Sequence, residues 1–152
     1  MKTKHRKASA AKRRWQADPS SIFRLMSRIQ PFTNEELVKL ETPVKLAFER
    51  VKVGTATRDD LHTLAAALNV ALVRSEEIDP LCEQTCVAAQ EGMIRTIERH
   101  NATGRMGFDG MALQDIPPAL DLYEQILGLS TPMQMQAAMR ETLARMNRGL
   151  TL

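Results

Sequence analysis

Apolar residues recur every three or four positions along most of the chain after residue 19, which is the spacing of one face of an α-helix. The clearest example follows Thr57-Arg58-Asp59-Asp60, a polar start that favours a helix N-terminus. We predict an amphipathic helix from this start to about Glu77. Its apolar face comprises Leu61, Leu64, Ala65, Leu68, Ala71 and Leu72.

Capping residues and prolines divide the rest of the pattern into further helices. Thr33 with Glu36, and Thr131 with Gln134, have the spacing of a capping box, in which two side chains satisfy free backbone amides at a helix start. Pro43 breaks the second pattern, so residues 33–54 form two short helices or one kinked helix. The other predicted helices run from about 20 to Pro31, from Pro80 to between His100 and Gly104, from about Ile116 to Gly128, and from Thr131 to about Asn147.

The same spacing predicts which side chains face the core. The helices that begin near Arg58 and Pro80 are expected to pair as an antiparallel hairpin, and a glycine-rich turn at 104–110 is expected to follow it. The predicted inward residues are Ile22, Phe23, Met26 and Ile29; Leu37, Leu40, Val44, Ala47, Phe48 and Val51; Leu81, Cys82, Cys86, Ala89, Met93, Ile94 and Ile97; Leu113, Ile116, Leu120, Tyr123, Ile126 and Leu127; and Met135, Ala138, Met139, Leu143 and Met146.

Composition supports a single all-α domain. The 152 residues are 43% hydrophobic, which suffices for one core of ordinary size, and they include only four Phe, one Trp and one Tyr. Strand-forming aromatic residues are therefore scarce. We predict a bundle of about five to seven helices at 19–148, preceded by a disordered basic arm at 1–18 and followed by a short tail at 149–152.

Charge is distributed unevenly between the arm and the helical domain. Residues 1–18 contain seven lysines and arginines and one aspartate, a net charge of +6. The remaining fourteen basic and seventeen acidic residues give 19–152 a net charge of −3. Because Trp15 is the one large apolar side chain in 1–18, this segment lacks the apolar surface needed to offset the entropy of ordering it.

The basic arm is the best candidate for a functional site, as a nucleic-acid-binding segment. Lysine and arginine side chains near phosphates release condensed counterions, which gives an affinity that depends steeply on salt. Trp15 beside Arg13 and Arg14 is suited to stacking on an unpaired base. The alternative is an arm that only aids solubility, or that folds against the acidic domain with Trp15 as its anchor. The candidate residues are Lys2, Lys4, Arg6, Lys7, Lys12, Arg13, Arg14 and Trp15.

No catalytic, metal or cofactor site is predicted. Cys82 and Cys86 lie one helical turn apart, but a second ligand pair with zinc-site spacing is missing, so small buried residues are the preferred interpretation. His100 is placed to interact with a helix C-terminus, and His62 has no evident partner. The glycines at 104–110 do not follow a strand, which excludes a dinucleotide-binding loop.

The expected location is the cytosol. The first residues lack the apolar segment of a secretory signal, no run of eighteen apolar residues is present, and two neighbouring cysteines are typical of a reducing compartment. We therefore expect no contact with membranes.

Two stretches and the basic start carry a resemblance to a protein group. The stretches are TRDDLHTLAAALNVALVRSEEI at 57–78 and TGRMGFDGMALQDIPPALDLYEQILGLSTPMQMQAAM at 103–139, and the start is MKTKHRK. Together they resemble small uncharacterised helical proteins of phages, prophages and mobile elements of proteobacteria. The resemblance covers about two thirds of the chain and implies a bacterial host cell but no activity. The Pro117-Pro118 pair departs from the group's pattern.

The leading functional hypothesis is a non-enzymatic binding protein of a phage or mobile element whose arm contacts nucleic acid, a nucleoprotein or another polyanion. An alternative is an inhibitor of a host defence or replication protein, acting through the helical surface and the acidic residues around Glu76, Glu77, Asp79 and Glu83. A third hypothesis is a homo-oligomer assembled through the methionine-bearing C-terminal helix.

Overall fold

The computed structural model describes residues 28–151. Within this range the chain forms five α-helices packed as one domain and no strand, which confirms the predicted all-α class. The predicted arm at 1–18 and most of the helix predicted before Pro31 lie outside the described residues, although positions 28 and 29 are helical. The helices are α1 (Asn34–Val53), α2 (Arg58–Ser75), α3 (Pro80–Thr103), α4 (Ala112–Leu129) and α5 (Pro132–Asn147).

The helix starts follow the polar caps of the sequence. The capping boxes predicted at Thr33 and Thr131 are both present, and Thr57 forms a third with Asp60. At α3 the Asp79 carboxylate accepts the Leu81 N–H at 2.7 Å, and Pro80 occupies the first turn, where a missing N–H costs nothing. The local sequence therefore determines where these four helices begin.

Helix α1 continues through Pro43 as a single helix, which decides between the two predicted arrangements. Val44, Ala47 and Val51 form one buried stripe beyond the proline. Packing along this stripe stabilises the half of α1 that follows the proline, despite the backbone hydrogen bond that the proline removes.

Helix α2 lies at the centre of the bundle and contacts all four other helices. Leu64 and Leu68 are fully buried, and every residue from Ala67 to Val73 is buried. A helix that is surrounded on all sides needs small or apolar residues around its whole circumference. The second half of α2 is therefore buried on all sides at residues 67–73, whereas the spacing predicted a helix with one apolar face.

Helix α4 begins at Ala112, four residues before the predicted start, and it contains Pro117 and Pro118. The Asp109 carboxylate accepts the Ala112 N–H at 2.6 Å and caps the first turn. Ala112 and Ile116 are both fully buried. The cap and this packing stabilise the first turns, so the prolines do not mark the start of the helix.

Eight of the predicted inward side chains are exposed, so these predictions were wrong. Helix α5 packs mainly against α2, and its exposed apolar side chains extend beyond that contact. The affected side chains of α3 lie on a part of that helix not covered by the neighbouring helices. The eight residues are Ile29, Leu40, Leu81, Ile94, Leu113, Met139, Leu143 and Met146.

Among residues 28–151, no helix combines the length and apolar character that a membrane span requires.

Candidate interaction surfaces

The predicted nucleic-acid-binding residues all lie outside the described range, from Lys2 to Trp15. The structure therefore neither brings them together nor separates them. It does describe the domain that follows the predicted arm, and the charge of that domain can be counted. Residues 28–151 contain thirteen basic and seventeen acidic residues, so the described domain has a net charge of −4.

Most basic residues of the described domain are paired with its own acids. Eight of the thirteen form ion pairs within 4 Å: Lys39, Lys45, Arg50, Lys52, Arg74, Arg95, Arg145 and Arg148. One example is Arg95, which bridges Asp109 and Asp115 at 3.2 Å each and so ties α3 to the start of α4. These pairs reduce the positive charge that residues 28–151 can offer to a polyanion.

The acidic junction between α2 and α3 is partly neutralised within the domain. Glu76 forms two hydrogen bonds with the Arg145 guanidinium, at 2.5 and 2.8 Å, and Glu77 pairs with Arg74. The hydrogen bonds to Glu76, and then those to Glu141, raise the pKa of Arg145 above its usual value. Asp79 is used as a helix cap. The junction is thus a structural link between α2 and α5 more than a free negative patch.

The two cysteines have different surroundings. Cys82 is partly exposed, whereas Cys86 is fully buried and contacts the Ser75 side chain. Burial raises the pKa of the Cys86 thiol to about 11, because a thiolate is poorly solvated there. Cys86 therefore fits the predicted role of a small buried residue, and its thiol is protonated at neutral pH.

No group of three or more metal-ligating side chains is found among the described residues. His62 lies on an exposed part of α2. His100 lies in the last turn of α3, as predicted, and its Nδ1 atom is buried without a hydrogen-bond partner in the described structure. The predicted turn at 104–110 is present between α3 and α4, and Gly104 has the positive φ of 72° that a left-handed helix end favours in glycine.

Two adjacent apolar grooves run along α5. Groove A, with a volume of 470 Å³, lies between α1, α2, α4 and α5. Groove B, with a volume of 500 Å³, lies between α2, α3 and α5. Ala66, Val70 and Met139 line both grooves. Groove A includes Phe32, Leu40, Pro43, Val44 and Gln136, and groove B includes Leu61, His62, Ile97, Leu143 and Met146.

Two buried polar residues of groove B, Asn69 and Thr142, were not predicted from the sequence. Asn69 on α2 accepts a hydrogen bond from the Gln90 amide of α3 at 2.6 Å. The hydroxyl of Thr142 on α5 is buried and has no hydrogen-bond partner in the described structure. Asn69 was detectable in principle as a polar residue inside the apolar run at 64–73, but only the assembled helices place it beside Thr142 in a groove.

Comparison with protein-family models, curated proteins and solved structures finds no match to this chain. The resemblance to proteins of phages and mobile elements accordingly remains a prediction.

Proposed function

We propose that this is a non-enzymatic binding protein that contacts nucleic acid through its basic arm, residues 1–18. The proposal rests on one observation, the segregation of charge. The arm has a net charge of +6, while most basic residues of the described domain are already paired with its acids. The arm therefore holds the largest concentration of positive charge along the chain, and a polyanion is the partner that such charge attracts.

The physical consequence is binding that depends on salt and little on base sequence. Each phosphate contact lowers log K by about 0.7 to 0.9 per unit of log salt concentration. With five of the seven basic side chains at phosphates, the affinity falls by roughly 10²- to 10³-fold between 50 and 200 mM salt. Trp15 adds stacking on unpaired bases, which favours single strands.

The test compares two charge variants of the full chain in gel-shift titrations at two salt concentrations. The arm variant replaces its seven lysines and arginines with glutamine. The matched control variant replaces four arginines of the described domain with glutamine: Arg58, Arg99, Arg105 and Arg140. All four are exposed and form no ion pair among the described residues.

We expect the arm variant to lose binding and most of the salt dependence, and the control variant to bind like the wild type. Unchanged binding by the arm variant, or no binding by the wild type at low salt, contradicts the proposal. A chain lacking residues 1–16 gives a second measurement that does not depend on the choice of glutamine.

A second candidate function is binding of a protein partner through groove B. It is supported by Met139, Leu143 and Met146, three flexible or branched apolar side chains that are about half exposed along one side of the groove. Methionine-bearing apolar surfaces suit the binding of an amphipathic helix. A host defence or replication protein, or a second copy of this chain, is a partner of this kind.

The test for groove B is affinity capture from a nuclease-treated bacterial lysate, together with a mass measurement in solution. Met139→Asp combined with Leu143→Asp should abolish capture of a stoichiometric protein. Met111→Asp is the matched control because Met111 is also exposed but does not line groove B. Capture that is equal for all three chains, or that disappears with nuclease alone, argues against a protein partner at this groove.

A further inference from the structure

Groove A is an apolar cleft that reaches the core of the domain. Its walls include Val44, Ala67 and Leu127, which are buried core residues, and Leu40, whose side chain is 38% exposed. The surface within it is almost entirely apolar. Contact between such a surface and water costs free energy in proportion to its area, so a covering apolar segment would stabilise the domain.

The described chain begins at the edge of this groove. The Nη2 atom of Arg28 donates a hydrogen bond to the Oε1 atom of Gln136, which lines groove A on α5, at 2.8 Å. Phe32, four residues further on, is half-buried and also lines the groove. Arg28 contacts a lining residue of groove A and Phe32 lines it, so the residues before Arg28 precede a part of the chain that lies beside this groove.

The residues that precede Arg28 have the pattern of an amphipathic helix. Ile22, Leu25 and Met26 recur at spacings of three and four, with Phe23 at the edge of the same face. Arg24 and Arg28 lie on the opposite, polar face of that helix. Ile29 lies on the apolar face of this pattern and is 54% exposed where the described residues begin.

We infer that the segment of residues 22–27 is the occupant of groove A, packed there as a short helix with Ile22, Phe23 and Met26 against α1, α2 and α5. The chain is already attached at the groove margin, so the segment needs no search over the surface and pays little loop-closure entropy. A helix of about ten residues is marginal in water without such packing. Docking would also set the point from which the basic arm leaves the domain.

This inference does not rest on nucleic-acid binding by the arm. The segment can be docked in groove A even if the arm does not bind nucleic acid, and the arm can bind nucleic acid even if the segment is not docked. The experiment below reads the segment directly and contains no nucleic acid, so the failure of one proposal is distinguishable from the failure of the other.

The experiment is amide hydrogen exchange on the full chain, read at residues 24–28. We expect exchange at least about tenfold slower than in an unfolded peptide of the same sequence, because an isolated helix of this length opens readily. Leu40→Asp places a charge in groove A without disturbing a fully buried side chain, and it should remove that protection. Leu46→Asp is the matched control because Leu46 is exposed on the same helix outside groove A.

Changes within the segment provide an independent reading. Phe23→Asp combined with Met26→Asp should also remove the protection, and Arg24→Asp on the polar face should keep it. Amides of Leu64 and Leu68 in α2 report in the same data whether each variant is folded. If Leu40→Asp proves unfolded, Met139→Asp, at an exposed position of the groove, takes its place.

Unprotected amides at 24–28 in the wild type would overturn the inference. Protection that survives both the groove variant and the segment variant would overturn it as well. Protection that rises with protein concentration, together with the mass of a dimer, would show that a second copy of the chain occupies the groove instead.

Discussion

Gly92 on α3 lies close to the start of α4, and its replacement by alanine is expected to destabilise the domain. A Cβ atom at this position would lie 3.3 Å from both the Cα and the Cβ of Ala112, and 3.5 Å from Cγ1 of Ile116. Favourable carbon contacts lie at about 3.5–4.0 Å, so the two helices would have to separate by a few tenths of an ångström.

The magnitude follows from two opposing terms. Alanine is favoured over glycine within a helix by about 1 kcal/mol. Overpacking in a well-packed core costs about 1–3 kcal/mol. The overpacking cost should exceed the helix gain because Ala112 is fully buried and its N–H is held by Asp109, itself paired with Arg95. We expect Gly92→Ala to lower the free energy of unfolding by about 1 kcal/mol.

Gly128→Ala in α4 is the control, because it makes the same chemical change in open space. Nothing lies within 4 Å of a Cβ atom at Gly128, so only the helix gain remains, about 0.5–1 kcal/mol of added stability. Urea unfolding followed by circular dichroism should therefore show midpoint changes of opposite sign for the two variants. If Gly92→Ala stabilises the protein as much as Gly128→Ala, the close packing of α3 on α4 is refuted.

Three further predictions concern titration, an ion pair and a cap. The folded-state pKa of Cys86, about 11, lies above its ordinary value, so stability should fall as pH rises from 9 to 11, and Cys86→Ala should remove that part of the fall in urea titrations. Arg145→Gln and Glu76→Gln should show a coupling of about 1 kcal/mol in a double-mutant cycle, smaller at 1 M salt; additive effects would refute the link between α2 and α5. Thr131→Ala should cost about 1 kcal/mol in thermal unfolding, whereas Thr131→Ser should cost little; equal losses would contradict the cap.

Local sequence signals predicted the helix class and most of the helix starts. The capping boxes at Thr33 and Thr131 were predictable because each joins a hydroxyl and a side chain three residues later in the same turn. Such contacts need no information about distant parts of the chain. The predicted start of α4 was wrong because proline was weighted above the Asp109 cap and the packing of Ile116.

One candidate surface is predictable from the sequence, and the other two are seen only in the tertiary structure. The charge difference between the arm and the domain follows from counting residues, so the sequence suffices to identify the arm as a candidate. Grooves A and B do not appear in any local pattern, since each is built from three or more helices. The burial of Asn69 and Thr142 in groove B likewise depends on how α2 and α5 meet.

By itself the sequence determined an all-α chain with capped helices and a segregated positive charge. Tertiary structure alone decided that α2 is central, that α1 continues through Pro43, and that Met135 is buried while Met139 is exposed on the same helix. Periodicity shows that a helix has an apolar face. How much of that face is buried depends on how far the neighbouring helices cover it. The exposed apolar side chains Met139, Leu143 and Met146 of α5 form part of the walls of the two grooves.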